Sequence, residues 1–497
     1  MRGSPVGEHS QKPKRTPSRE PKRPGLRKRA GAKRSLVMRA DLHALHPATD
    51  AAEHRAHRTT LANGLRIISV PQPHLHTVTI TMFVKVGSRH ESPRDNGLSH
   101  LLEHMLFRGC QRYPSAYALN RAIEELGGTL HAATHSDSTL FEVTLPPSNA
   151  ERGIAILGAL FEHPNFSDLA IEKRIVREEI LEYVDEDGRE VDPDNLSRQL
   201  MFGAHPLGMT ISGGTDNLKR FDKADLRAHM QRHYVADNMV LCVAGAVEPS
   251  AVGRAAAKNF SGLRSGSPTR AHAPGPQPKH TQLHYLQSQG SQTDMRLSFL
   301  TFGSSDPRYV ALELLTRVLD DGMSTRLHRR ICEELGLAYE VFATLEPYEE
   351  CGVLDVGGAV KHGNAPVFVR QTLGLLAQFA DKAVSRAELD KAKHRYKWQL
   401  EAILDDAQAM CMHYGQRALL GQDGDLATLR AGVDKVTQND VREVAREVFC
   451  RERLHMVAVG MLGREQQRGL RRAFLALPLA RTVPRVRGKT GLALKSA

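Results

Sequence analysis

Three things are scarce in this 497-residue chain, and each scarcity excludes something. No run of 18 or more apolar residues occurs, so no membrane span is expected. The six cysteines (Cys110, Cys242, Cys332, Cys351, Cys411 and Cys450) are scattered, and none forms C-x-x-C. Neither a cysteine zinc site nor a disulfide framework is indicated, and a reducing interior is expected. Acidic residues are nearly missing from the two ends. Residues 1–39 hold thirteen Lys or Arg against two Glu, and residues 464–497 hold nine against one. The body, 40–463, therefore carries −7, so the +12 of the whole chain hides a mildly acidic core region between two basic tails.

The N-terminal stretch carries Pro5, Pro13, Pro17, Pro21 and Pro24 and almost no apolar residues, so it is expected to be disordered. It has no apolar h-region and does not read as a secretory signal. It is Arg-rich and acid-poor like a mitochondrial transit peptide, but its prolines oppose the amphipathic helix such peptides need. The expectation is a solvated tail, or a true start at Met38. A phosphate-binding arm for nucleic acid is the alternative.

Against that background one pentapeptide stands out, His100-Leu101-Leu102-Glu103-His104. On a helix, His100 and His104 share a face. Both could then offer a ring nitrogen to one zinc ion. Glu103, three positions from His100, projects from nearly the same face and is placed to take a proton from water at the metal. H-x-x-E-H is the inverted form of the H-E-x-x-H zinc-protease motif. Such a site needs a third ligand. Ser167 to Asp187 reads as its helical source, with Ser167 as cap, Asp168 and Glu172 early in the helix, and Ala170, Ile171, Ile175, Ile180 and Leu181 as its apolar positions. Glu172 and Glu179, seven apart, share a face. Spacing alone leaves Glu178, Glu179 and Glu182 open as the ligand.

The chain resembles the pitrilysin/insulinase family of zinc metallopeptidases, which includes the mitochondrial processing peptidases and short bacterial relatives. The resemblance rests on His100–His104 followed 75 residues later by Glu179. It rests also on Leu61-Ala-Asn-Gly-Leu-Arg66, Val84–Ser88, Asn96–His100, Gly127-Gly128-Thr129, His205–Gly208, Asp237–Leu241, Gly322–Arg326 and Gly336–Tyr339, and it covers about residues 58–463. It implies one zinc per chain held by His100, His104 and Glu179, with Glu103 as general base. Glu172 would be an outer carboxylate orienting a ligand, counted with Glu103 among the catalytic groups. It implies that Arg330 and Tyr339 hold substrate near the scissile bond, Tyr339 as a donor to the developing oxyanion. Two departures stand out: His131 replaces the family's usual Asn, and the segment around Arg330 lacks a lysine common in bacterial relatives.

His131 and His135 form a second pair four apart. The Thr, Val and Phe content of 129–145 reads as strands, and on a strand that pair would lie about 13 Å apart, too far to share a metal. The resemblance implies that this edge strand, with His131 and Ala132, pairs with substrate backbone, a mode with loose side-chain selectivity.

The chain also repeats itself. Asp225–Gly245 and Asp440–Gly460 both read helix, turn, apolar strand, glycine, with an offset of 215 residues. The expected fold is α+β: two homologous domains, each a mostly antiparallel sheet with helices packed on one face. The expected parts are a basic tail 1–55, a zinc-binding domain 56–260, a linker 261–280, a second non-catalytic substrate-binding domain 281–463, and a C-terminal helix and basic tail 464–497. The function expected is a zinc metalloendopeptidase acting on peptides or unfolded polypeptides, in the bacterial cytoplasm or alternatively the mitochondrial matrix. A homodimer is expected, with a heterodimer as the variant. The rival is a non-catalytic scaffold subunit of the same fold.

Overall fold

The computed structural model describes residues 56–271, 273–274, 281–422 and 425–476. The expected basic tails therefore lie outside the described residues, apart from the helix Arg464–Leu475. Among the described residues no helix is long and apolar enough to cross a membrane, and all six cysteines are free thiols.

The strands of the first half are β1 (His57–Thr60), β2 (Arg66–Pro71), β3 (Val78–Val84), β4 (Thr129–Thr134), β5 (Thr139–Leu145) and β6 (Met239–Gly245). They form one sheet in the order β1-β2-β6-β3-β5-β4. Those of the second half are β7 (Gln282–Leu286), β8 (Thr293–Phe302), β9 (Phe342–Pro347), β10 (Cys351–Val360) and β11 (Leu454–Val459), in the order β7-β11-β8-β10-β9. In both sheets one parallel pair, β2 with β6 and β7 with β11, leads into antiparallel pairings. The repeat read from the sequence lies at the centre of this match. The helix Lys223–His233 and β6 are followed 215 residues later by the helix Gln438–Val448 and β11.

Each sheet buries one face under helices of its own half. In the first half α1 (Leu98–Leu106), α2 (Ala116–Glu124), α3 (Ala150–Glu162), α4 (Leu169–Leu181) and the helix Pro249–Phe260 cover Ile80, Met82, Phe141 and Val143. The opposite faces are covered by an exchange. The helix Ala407–Leu419 of the second half packs on β3 and β6 of the first, with Met410, Cys411 and Tyr414 against Phe83, Val240 and Cys242. Gly415 allows this approach, because a Cβ there would lie 2.1 Å from the Phe83 ring. In return α5 (Pro193–Phe202) crosses to the second sheet, where Leu196 meets Val457 and Val459. Arg198 on α5 lies 2.6 Å from both Glu346 and Asp355. Charged pairs close the seam, Lys85 with Glu349 at 3.2 Å and Arg89 with Glu350 at 2.9 Å.

The expected helix at 167–187 differs in detail. It ends at Leu181, and its cap position is Asp168, which makes no side-chain capping bond. Ser167 turns its hydroxyl to the Arg108 carbonyl instead. The chain enters the helix through two left-handed residues, Phe166 (φ 47°) and Asp168 (φ 54°), with the Phe166 ring buried in the core. That turn aims the helix so that Val176 and Ile180 are buried, while Ile171, Ile175 and Leu181 face water. Apolar spacing alone does not give the phase of a helix that spends one face on carboxylates.

Candidate metal centre

Helix α1 has no Ser, Thr, Asp or Asn at its cap. Gly97 stands there with φ 96°, and a Cβ would lie 2.6 Å from the Ser212 carbonyl. The first-turn donors find a carboxylate from upstream: Glu91 accepts from the backbone N–H of Gly97 at 2.8 Å and of Ser99 at 2.6 Å. A carboxyl at a helix N-terminus satisfies orphan donors, and here burial pushes the Glu91 carboxyl up against the lowering pull of the bonds from Ser99, Gly97 and Asn96. Ser99 is held again through its hydroxyl, 3.0 Å from His229 Nε2. Leu101, Leu102, Met105 and Leu106 are buried in the core cluster, which fixes the rotation of the helix. His100 and Glu103 remain on the face towards α4 and β4, 7% and 9% exposed.

The structure brings His100, His104 and Glu179 together. His100 Nε2 lies 3.4 Å from Glu179 Oε1, and His104 Nε2 lies 3.6 Å from Glu179 Oε2. One ligand atom from each of the three falls within 4.8 Å of the others. These separations are longer than good hydrogen bonds. The His100 separation matches the edge of a tetrahedron, since two ligands about 2.1 Å from one zinc ion sit about 3.4 Å apart, and the His104 separation, to the other oxygen, is close to it. The donor set, two imidazoles and one carboxylate with a fourth position left over, also fits zinc. Glu178 and Glu182, the other candidates, are exposed.

Glu172 bridges His104 and Arg108. Its Oε1 lies 2.8 Å from His104 Nδ1, which leaves Nε2 facing Glu179. Its Oε2 is gripped by Arg108 Nε. Burial opposes ionisation of Glu172, but hydrogen bonds from His104 and Arg108 outweigh it and hold the carboxyl below its usual range. The His100 ring, with His104, does the same for Glu179. Burial works against charge on His104, yet the hydrogen bond to Glu172 and the charges of Glu103, Glu172 and Glu179 raise its pKa. That negative field favours a cation between the rings.

Glu103 is held by Thr134, whose hydroxyl donates to Oε2 at 2.6 Å. Thr134 closes β4, the edge strand that contains His131 and Ala132. His131 pairs in register with Glu142 and is exposed, whereas Ala132 is half-buried beside the core of the helical face. His135 follows the strand in a tight turn, its N–H bonded to the Ser138 carbonyl. Arg330 and Tyr339 are not joined to this cluster by any bond. Arg330 spends its guanidinium on Gln371 and Glu334, and Tyr339 is 96% exposed. The sequence reading missed Glu91, Arg108 and Thr134. Arg108 was within reach, standing four residues past His104, and strand parity puts Thr134 on the face of Ala132.

A duplicated α+β fold with an inverted zinc-peptidase motif on its first copy defines a class of protein. Comparison with known families bears this out: residues 66–214 match the profile described as insulinase (peptidase family M16), and residues 220–396 match that of the peptidase M16 inactive domain. The chain belongs to the insulinase family, peptidase family M16. It is 28% identical over 403 residues to an uncharacterized zinc protease of Bacillus subtilis, covering 80% of this chain and 96% of that one. It is 27% identical over 416 residues to an uncharacterized zinc protease of Mycobacterium tuberculosis, covering 82% and 93%. The crystal structure of a protease from Helicobacter pylori has the same fold, with a TM-score of 0.74 at 20% identity over 82% of this chain and 99% of the other. A peptidase M16 inactive domain from Pseudomonas fluorescens gives 0.75 at 18% identity, with the same two coverages.

Proposed function

We propose that this chain is a zinc-dependent endopeptidase that cuts peptides or unfolded polypeptides, with one zinc per chain held by His100, His104 and Glu179. The observation that carries the reading is the approach of both imidazole Nε2 atoms to the two oxygens of one carboxylate, at 3.4 and 3.6 Å. Zinc bound there supplies Lewis acidity, polarising a carbonyl oxygen and acidifying water near neutral pH. Glu103 collects the water proton and returns it to the leaving amine. Glu172 keeps the His104 ring oriented, and Arg108 keeps Glu172 ionised. The outer edge of β4, at His131 and Ala132, receives the substrate backbone as an added strand.

Arg330 and the exposed Tyr339, both on the second half, hold substrate near the scissile bond. Association of two copies as a homodimer is supported by Ile171 and Ile175, exposed apolar side chains on the helix that carries Glu179. Glu103→Gln tests the chemistry. It is expected to keep stoichiometric zinc and to lower peptide cleavage by about 100-fold to 10,000-fold. Unchanged turnover in that variant would eliminate Glu103 as the base.

A further inference from the structure

We propose that Thr134 is a positioning residue for the proton transfer, fixing which oxygen of Glu103 receives the proton. This rests on the reading of Glu103 as general base. A glutamate reaching from a helix has three torsions, and a base whose carboxylate rotates spends part of its time out of reach of its water. Glu103 is nearly buried, and the hydroxyl of Thr134 donates to its Oε2 at 2.6 Å. Hydrogen bonds to an ionised acceptor are short and strong, so this one holds the carboxylate plane. Oε2 is committed to Thr134, which leaves Oε1 to take the proton.

Thr134 is itself held in place. Leu130 and Ala132 pack against the core beneath the helices, and Thr134 follows them on the same parity of β4, which brings its side chain under α1. Across the strand pair it stands opposite Thr139, whose own hydroxyl is bonded to the Val86 carbonyl at 2.8 Å. The turn beyond is closed by the bond from the His135 N–H to the Ser138 carbonyl at 2.7 Å. A β-branched side chain at such a site has little rotamer freedom. The strand that offers its outer edge to substrate thus also orients the base, so one rigid element registers the scissile bond against the group that moves its proton.

Thr134→Val keeps the shape and removes the donor, and Thr134→Ser keeps the donor. The Val variant is expected to lower kcat at least about tenfold with KM changed less than about twofold, the pattern of a group that acts in the transition state. Its zinc content should equal that of the parent, and Thr134→Ser should recover most of the lost kcat. Unchanged kcat, a loss carried by KM, a loss of zinc, or no recovery with Ser would each overturn the assignment. A cycle of Thr134→Val, Glu103→Ala and the double variant, read by Tm, tests the contact without turnover. Non-additive Tm losses are expected, and additive ones would overturn the contact. If the parent shows no zinc-dependent cleavage, the endopeptidase reading fails and takes the kinetic role of Thr134 with it. If the parent cleaves and Thr134→Val keeps its kcat, the Thr134 assignment alone fails.

Discussion

The two halves of the molecule share a five-strand topology, to which the first adds β1 at the edge, yet one helix separates them chemically. In the first half the helix after β3 shows His100, Glu103 and His104 on the face towards α4. In the second half the helix after β8, Tyr309–Leu319, buries Leu312, Leu315, Val318 and Leu319, and its one carboxylate, Glu313, bonds to the Tyr309 hydroxyl at 2.9 Å. The sheet and its covering helices are therefore a scaffold that stands with or without the His100, Glu103 and His104 set. A second contrast lies on the faces covered by the exchanged helices. Each sheet carries a hydroxyl opposite a carboxylate there, Thr81 with Glu142 and Ser298 with Asp355. Arg198 answers Asp355. Glu142 has Gln408, His131 and Asp406 as neighbours, and burial pushes its carboxyl up.

The largest effect should come from making the chemistry of the halves more alike. Glu103→Gln is expected to remove cleavage on the scale given above, whereas Glu313→Gln on the corresponding helix should leave kcat/KM within about twofold in a peptide assay. Loss of activity with Glu313→Gln would show that the second helix is more than scaffold. Next comes the carboxylate contrast. Arg198→Met leaves Asp355 buried without its partner and should cost about 3–5 kcal/mol in denaturant unfolding. Glu142→Gln removes a carboxylate whose folded pKa is raised. The penalty on the folded state grows as pH rises above the unfolded carboxyl value, about 4.3, and is complete above the raised folded pKa, so at pH 7 this variant should be neutral or more stable. Equal destabilisation by both would erase the contrast.

A smaller effect is expected at the metal. Arg108→Met frees Glu172 and should weaken zinc binding about 10–100-fold in a chelator competition. The smallest is acid sensitivity. Burial, helped by neighbouring Arg and His charges, lowers the pKa of His90 and His229 to about 3 and that of His233 to about 4. Unfolded, these rings titrate near 6.5. Between those values the unfolded chain binds protons that the folded one refuses, so stability falls as pH drops below about 6.5. Tm measured from pH 7 to pH 5 should decline, and His229→Gln should flatten the decline. An unchanged slope in that variant would remove His229 from the account.

Much of this was legible locally. H-x-x-E-H needs only helical spacing, and the 215-residue repeat needs only a recurring pattern. The strand at 129–134 declared itself through β-branched and aromatic neighbours and alternation. The choice of Glu179 over Glu178 and Glu182 came from family likeness, because it depends on the phase of α4, and that phase is set by the left-handed turn at Phe166 and Asp168. Apolar spacing misled there, since Ile171 and Ile175 point to water. The exchange of α5 and Ala407–Leu419 between sheets was not readable. An amphipathic helix announces that it has a buried face and not which sheet will cover it. Thr134 and Arg108 escaped for a related reason: their partners, Glu103 and Glu172, lie 31 and 64 residues away.

The central claim is that two imidazoles from α1 and one carboxylate from α4 close on a single ion. Zinc quantified per chain, with the absorption edge recorded on the same samples, tests it most directly. The parent should hold one zinc with two imidazole ligands, and Glu179→Ala should lose most of that metal while staying folded. Full zinc retained in Glu179→Ala, or a parent that takes up no zinc, would contradict it.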